Sequence, residues 1–121
     1  MAPDRRSDCP IACTLDLLGD KWTLVVVRDL FMGNERFEQF LSSPEGIATN
    51  ILADRLARLR EAGLVEQHAN PDRRDRPTYH LTRRGRGLRP LIRAMVRWGL
   101  KNVPGTKVPR PASLGHAAAS D

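Results

Sequence analysis

Aromatic residues are scarce: three Phe, two Trp and one Tyr in 121 residues. None sits where a base could stack on the basic part of the chain, which makes RNA the weaker alternative as a partner. There are two cysteines, Cys9 and Cys13, only four positions apart. That spacing makes no disulfide framework, so a reduced, cytoplasmic protein is expected. The longest apolar run is Leu24 to Val27, and the N-terminus lacks an apolar h-region; neither a membrane span nor a secretory leader is expected. The three histidines, His68, His80 and His116, are scattered. No Gly-rich phosphate loop, no pair of catalytic carboxylates and no metal-spaced His/Cys cluster is present. An enzyme, a cofactor and a metal are therefore not expected.

Lysine is also rare, at positions 21, 101 and 107, so Arg supplies 17 of the 20 basic residues. Arg suits bidentate contacts to phosphate or guanine, although high genomic GC content would give the same bias. The formal net charge is +6 and the pI about 10.3. Between Asn70 and Arg97 nine Arg face two Asp, a net of +7, so the remainder sums to −1. Concentration in one segment points to a surface patch and an anionic partner.

The stretch from Ile47 to Leu64 organises the rest. Leu52, Leu56 and Leu59 recur at spacings of four and three, with Ile51 on the flank, the stripe of an amphipathic helix. At about 100° per residue, Asn50, Asp54, Ala57, Arg58 and Glu61 fall opposite that stripe. Thr49 and Asn50 open the first turn, where free N–H groups and the dipole favour a phosphate. Gly63 is expected as a left-handed cap, followed by the hydrophobic contact of Leu64.

Upstream, Cys9-Pro10 starts a helix whose buried side is marked by Ile11, Leu15 and Leu18, and Gly19-Asp20 breaks it. Lys21 to Met32 contains the β-branched run Val25–Val27, which suits a strand. The spacing of Trp22, Val26 and Asp29/Leu30, with Asp20 as a cap, favours a helix. Phe37, Phe40 and Leu41 predict a short helix, and Ser43-Pro44-Glu45-Gly46 a turn. A short helix, a Gly-containing turn and a longer helix with a polar first turn make a helix-turn-helix. Val65–Ala69 and Thr78–Leu81 then form two strands around NPDRRDRP, a loop carrying Arg73, Arg74 and Arg76. A hairpin with a basic loop after such a helix is a wing, which rests on the DNA backbone or enters the minor groove. The alternative is a solvated loop in which these arginines neutralise Asp72 and Asp75. Thr82 is expected to cap the last helix, with Gly85 and Gly87 early in it. Its residues Leu88, Leu91, Ile92, Met95, Val96 and Trp98 cover more than one side, more apolar surface than one small domain needs; a dimer is expected. The reading is therefore one mainly α domain with a small β-hairpin, a winged helix-turn-helix over 9–102, between a loose N-terminus 1–8 and a disordered tail 103–121.

The order Cys9-Pro10, LLGDKWTLVVVRDL, RFEQF, GIATNILADRLARLREAGLV, YHLTRRGRGL and Trp98-Gly99 resembles the HxlR-type family of bacterial winged helix-turn-helix regulators. The likeness spans about residues 9–100. It is carried most strongly by the Gly-x-Lys-Trp segment and the L-x-x-R-L-x-x-L-x-x-x-G-L helix. The resemblance implies a homodimeric transcription regulator, a repressor by expectation, on a palindromic operator in double-stranded DNA. It also implies a dimer built by the first and last helices, here Ile11, Leu15, Leu91, Met95 and Trp98. Ala48 stands where a capping Ser or other polar residue is usual, and Asp54 where a neutral polar residue is common. Losing a cap costs about 0.5–2 kcal/mol. Asp54 would be repelled by phosphate unless it pairs with Arg58 or accepts from a cytosine amine. The candidate DNA-binding set is thus Thr49, Asn50, Asp54, Arg58, Arg73, Arg74 and Arg76.

Cys9 is a candidate redox sensor. At a helix N-cap its sulfur meets unpaired N–H groups and the positive dipole end, and Arg5 and Arg6 add charge while Asp8 opposes them. Several members of the resembled family sense oxidants or electrophiles through a cysteine at this position, so such an effector is left open. The alternative is a small residue filling the dimer interface. A winged helix serving only protein–protein contact is the rival function; it would leave no free polar groups on the 47–64 helix.

Overall fold

The computed structural model describes residues 5–108, and the parts of the expected N-terminus and tail at 1–4 and 109–121 lie outside them. Helix α1, Pro10–Leu18, begins with Pro10 in the first turn after an extended Cys9. Residues 5–8 lie along it: Arg6 pairs with Asp16 at 2.8 Å, and the Ser7 carbonyl accepts from the Cys13 thiol at 3.2 Å. Only Leu18 of its apolar residues is buried in the chain; Ile11 and Leu15 are 72% and 53% exposed. The expected buried side of α1 is therefore open to solvent over most of its length.

Helix α2, Thr23–Phe31, runs through the core. Val26, Val27 and Leu30 are buried, so the β-branched run is helical here. Its modest helix propensity is overridden by burial on one face. Short α3, Phe37–Leu41, is started by the Gln39 amide oxygen, which accepts the N–H groups of Glu35 and Arg36 at 2.9 Å each. After the Ser43–Gly46 turn comes α4, Thr49–Glu61, with Leu52, Leu56 and Leu59 all buried. Gly63 adopts φ +76°, its N–H reaching Arg60 and that of Leu64 reaching Leu59. That paired closure is a Schellman motif, as the Gly-Leu signature predicts.

Strands β1, Val65–His68, and β2, Thr78–Leu81, pair antiparallel with Val65 opposite Leu81 and His68 opposite Thr78. The hairpin is also tied to the loop before α3. Tyr79 N–H donates to the Glu35 carbonyl at 2.8 Å, and Arg36 forms a bridge with Thr78. The angle of the hairpin is thus fixed against the α3–α4 pair.

The segment expected as one last helix is two. Thr82 caps α5, Arg83–Arg86, accepting from Gly85 N–H at 3.1 Å and donating to the Gly63 carbonyl at 2.6 Å. The chain then turns at Gly87-Leu88 into α6, Arg89–Asn102. Pro90 supplies the reason, since it has no N–H to give the Arg86 carbonyl and so cannot continue α5. Gly85 is required by closeness: a Cβ there would lie 2.1 Å from the Leu64 carbonyl oxygen. No residue of α6 is buried, although Leu88 and Ile92 pack on the core's edge.

A polar clamp joins α4 to the turn before α2. Asp20 accepts from Trp22 N–H at 3.2 Å, from the Thr23 hydroxyl, and from Arg55 Nε at 2.6 Å. Partial burial pushes the Asp20 carboxyl up, but these donors and the Arg55 charge outweigh it and hold it at about 2, below the ordinary 3.8. A carboxylate held low stabilises the fold above its ordinary value and loses that contribution as pH falls through the folded value. Acidification from about pH 5 to pH 2 is expected to remove about 2 kcal/mol through this group. Urea midpoints measured across that range should fall less steeply in Asp20→Asn than in the parent chain.

Candidate nucleic-acid interface

The N-terminal face of α4 is open. Ala48 caps it without any side-chain bond, and Thr49 and Asn50 are exposed. The first-turn N–H groups of a helix have no acceptor within it, so this end presents donors outward. One turn on, Asp54 pairs with Arg58 Nε at 3.0 Å, the i, i+4 pairing its charge requires, and also bonds Arg55. For a base edge, then, Thr49 and Asn50 are available directly, while Arg58 must release or share Asp54.

Arg55 carries a role that periodicity did not assign. Its side chain is 14% exposed and reaches back to Asp20, anchoring α4 while Arg58, one turn along and more exposed, faces out. A second network holds the turn between α3 and α4. Asp29 is 2% exposed and accepts from Arg28 Nε and Nη2 at 3.0 and 2.8 Å and from the Ser43 hydroxyl. Arg28 also grips Glu45 with two bonds, at 2.7 and 2.8 Å. The Glu45 bonds hold the guanidinium well above its ordinary range despite burial, and Arg28 in turn holds the Glu45 carboxyl low. A signal for this existed: an Asp beside Leu30 in an apolar run needs a partner if the helix is buried.

In the loop between β1 and β2, Asn70 accepts from Asp72 N–H at 3.0 Å and shapes the turn. Arg73, Arg74 and Arg76 are exposed. Arg76 approaches Asp75 at 4.0 Å; among the described residues Arg73 and Arg74 pair with neither Asp72 nor Asp75. The solvated, self-neutralised loop is thus met at Arg76 alone. The other arginines of the basic segment are divided between α5 and α6 and do not belong to this loop.

The hairpin brings together two histidines that are distant in sequence. The rings of His68 and His80 stack with centroids 4.4 Å apart, Glu66 lies 3.2 Å from the first and Glu35 3.7 Å from the second. His80 Nε2 also bonds the Thr78 hydroxyl at 2.8 Å. Among the described residues no group of three such side chains is arranged to hold a metal ion.

Cys9 is exposed, its N–H donating to the Ser7 hydroxyl at 3.0 Å, and Cys13 is half-buried; neither is in a disulfide. The two arginines expected to add charge beside Cys9 are engaged elsewhere, Arg5 with Asp8 at 3.4 Å and Arg6 with Asp16. On α6, Leu91, Met95 and Trp98 are exposed, the last at 64%. With Ile11 and Leu15 of α1 they leave two helices each showing apolar side chains to solvent.

Comparison with known proteins places this geometry. The family model for HxlR-like helix-turn-helix proteins matches residues 17–107. An uncharacterized HTH-type transcriptional regulator of Synechocystis, sll1512, is 38% identical over 91 residues, covering 75% of this chain and 67% of that protein. The HTH-type regulator Rv3095 of Mycobacterium tuberculosis is 36% identical over 102 residues, covering 84% and 63%. The matched part of the chain thus spans about two thirds of the length of these curated relatives. Among solved structures, the transcription-factor candidate PA1607 superposes with a TM-score of 0.76 at 38% identity, over 88% of this chain and 75% of that one. The redox regulator HypR in its oxidized form gives 0.70 at 30% identity, over 83% and 100%. Quinone-bound YodB from Bacillus subtilis gives 0.63 at 27%, over 75% and 97%.

Proposed function

Since the chain belongs to the HxlR-like helix-turn-helix family of DNA-binding transcription regulators, we propose that it acts in the cytoplasm as a homodimer on a palindromic operator. It regulates rather than catalyses, and it represses by occluding the promoter, which needs no surface beyond the one that binds DNA. The observation that carries this reading is the pairing of an open α4 N-terminus with a wing loop whose Arg73 and Arg74 are unneutralised by its own aspartates. The dimer is supported by the exposed apolar residues of α1 and α6. No helix of the described residues is long and apolar enough to cross a membrane.

The roles divide by chemistry. Arg73, Arg74 and Arg76 take phosphate or minor-groove contacts, which position the protein without reading sequence. Thr49, Asn50 and Arg58 read base edges, with Asp54 steering Arg58. Operator fragments selected from a random duplex pool give the assay. Removing one phosphate-contacting Arg should lower the slope of log affinity against log salt by about one unit and weaken all sequences alike. Asn50→Ala or Arg58→Ala should instead cost about 1–3 kcal/mol at particular base pairs. An unchanged salt slope in the variant lacking all three wing arginines removes the wing from the interface. Competitor RNA that displaces the duplex at equal concentration would overturn the double-stranded assignment.

HypR is described as a redox regulator, and the YodB structure as quinone-bound. On that likeness we assign Cys9, exposed at the start of α1, as the thiol through which an oxidant or electrophile acts. Titrating the reduced protein with diamide or a quinone should lower operator binding and shift non-reducing gel mobility, and Cys9→Ser should abolish both. An equal response in Cys9→Ser leaves Cys9 as a packing residue only.

A further inference from the structure

A cavity lies where the end of α2, the loop to α3, β2 and the α5–α6 junction meet. It encloses about 310 Å³, near the lower end of the roughly 300–1,000 Å³ typical of small-ligand sites. Its walls differ in character. One is cationic: Arg86 is folded over the strand end by a bond from Nη1 to the Leu81 carbonyl at 3.0 Å. Beside it the Arg89 guanidinium sits 5.1 Å from the centre of the Phe31 ring. The opposite wall carries one carboxylate, Glu35, 3.7 Å from His80 Nδ1. Phe31, Leu30, Leu81 and Tyr79 supply apolar surface between them.

We propose that this cavity binds a small organic anion, its carboxylate or phosphate against Arg86 and Arg89 and a flat apolar body against Phe31 and Tyr79. Two guanidiniums line the site, and Arg is the side chain whose planar fork matches a carboxylate or phosphate. The apolar wall is what distinguishes an organic anion from a free one. The position gives the site a lever on DNA. Glu35 donates its N–H to the Gln39 side chain that starts α3, and its carbonyl accepts Tyr79 N–H from the hairpin, so the same residue is cavity wall, partner of the α3 capping amide and wing anchor. Use as an effector site rests on the regulator reading, but the binding itself does not, and it is measured without DNA.

The test is titration of the isotope-labelled full chain with phenyl phosphate, benzoate and inorganic phosphate, following backbone amide shifts. Phenyl phosphate should saturate, moving the amides of Gly33, Asn34, Glu35, His80 and Leu81. Benzoate should move the same set, while inorganic phosphate should bind about tenfold more weakly for want of the apolar body. Arg86→Gln and Arg89→Gln should each weaken phenyl phosphate by about tenfold, whereas Arg83→Gln, outside the cavity, should leave it unchanged. Glu35→Gln removes the opposing carboxylate and should tighten binding roughly twofold to fivefold, a gain that misfolding cannot imitate. Shifts confined to Arg73–Arg76, an absence of saturation, or affinities indifferent to Arg86, Arg89 and Glu35 would overturn the proposal. Loss of operator binding with intact phenyl phosphate binding would instead count against the regulator reading alone.

Discussion

Replacing both Met95→Glu and Trp98→Glu is expected to leave a folded monomer that binds its operator roughly 10²–10⁴-fold more weakly than the parent chain. Both side chains are at least half exposed, at 50% and 64%. Within one chain they support little, and surface changes of that kind usually stay within about 0.5 kcal/mol. In the proposed dimer the same substitutions place carboxylates in an apolar interface, where an unpaired buried charge is strongly unfavourable. The loss on DNA follows from geometry. Two α4 helices on one face of B-DNA engage half-sites about 34–36 Å apart, and the second engagement is effectively intramolecular. Without the partner each half-site is bound alone. Sedimentation at micromolar concentration and a footprint over the full operator check the two halves of the prediction. A variant that remains dimeric means the interface is not built from this face of α6.

The parts of the molecule legible in sequence are those whose pattern is local. The stripe of Leu52, Leu56 and Leu59 and the Gly63-Leu64 closure fix α4 without reference to anything distant, and both are found as expected. The start of β2 at Thr78 follows from the turn-rich loop before it in the same way. The Asp54–Arg58 pair is also local, one helical turn apart. What escaped depends on residues far apart in the chain. Asp20 and Arg55, 35 positions apart, and Asp29 and Ser43, 14 apart, are joined only by packing of α2 against α4 and its preceding turn. His68 and His80 meet through the register of the hairpin. The division of the last helix is a different case. Pro90 stands in the sequence, but Pro is also at home in the first turn of a helix, so its presence alone does not say where one helix ends and the next begins. Arg5 and Arg6 illustrate a further limit, because nearness in sequence to Cys9 did not decide which carboxylates they would meet.

The buried network at Asp29 is expected to dominate stability. Asp29→Ala should cost about 3–5 kcal/mol, the range for removing one partner from a buried ion pair. The Arg28 guanidinium would keep Glu45 but lose Asp29 on its buried side, and the Ser43 hydroxyl would lose its acceptor. Each is a polar group left in a low-dielectric setting with less compensation than before. Glu45→Ala gives the contrast, since Glu45 is the more exposed partner of Arg28 and its removal should cost about 1 kcal/mol or less. Asp29→Asn should fall between the two, keeping an oxygen for Ser43 while placing neutral donors toward Arg28. Urea unfolding with unchanged slope separates a loss of stability from a change in compactness. An Asp29→Ala midpoint no lower than that of Glu45→Ala would mean the network contributes little. The consequence for DNA is positional: Ser43 and Glu45 lie in the turn that sets the entry of α4, so the weakened variant should lose operator affinity even at temperatures where it remains folded. Phosphate contacts from the wing loop do not pass through this turn. The salt slope of the remaining binding should therefore stay near that of the parent chain, which separates a misplaced α4 from a lost wing.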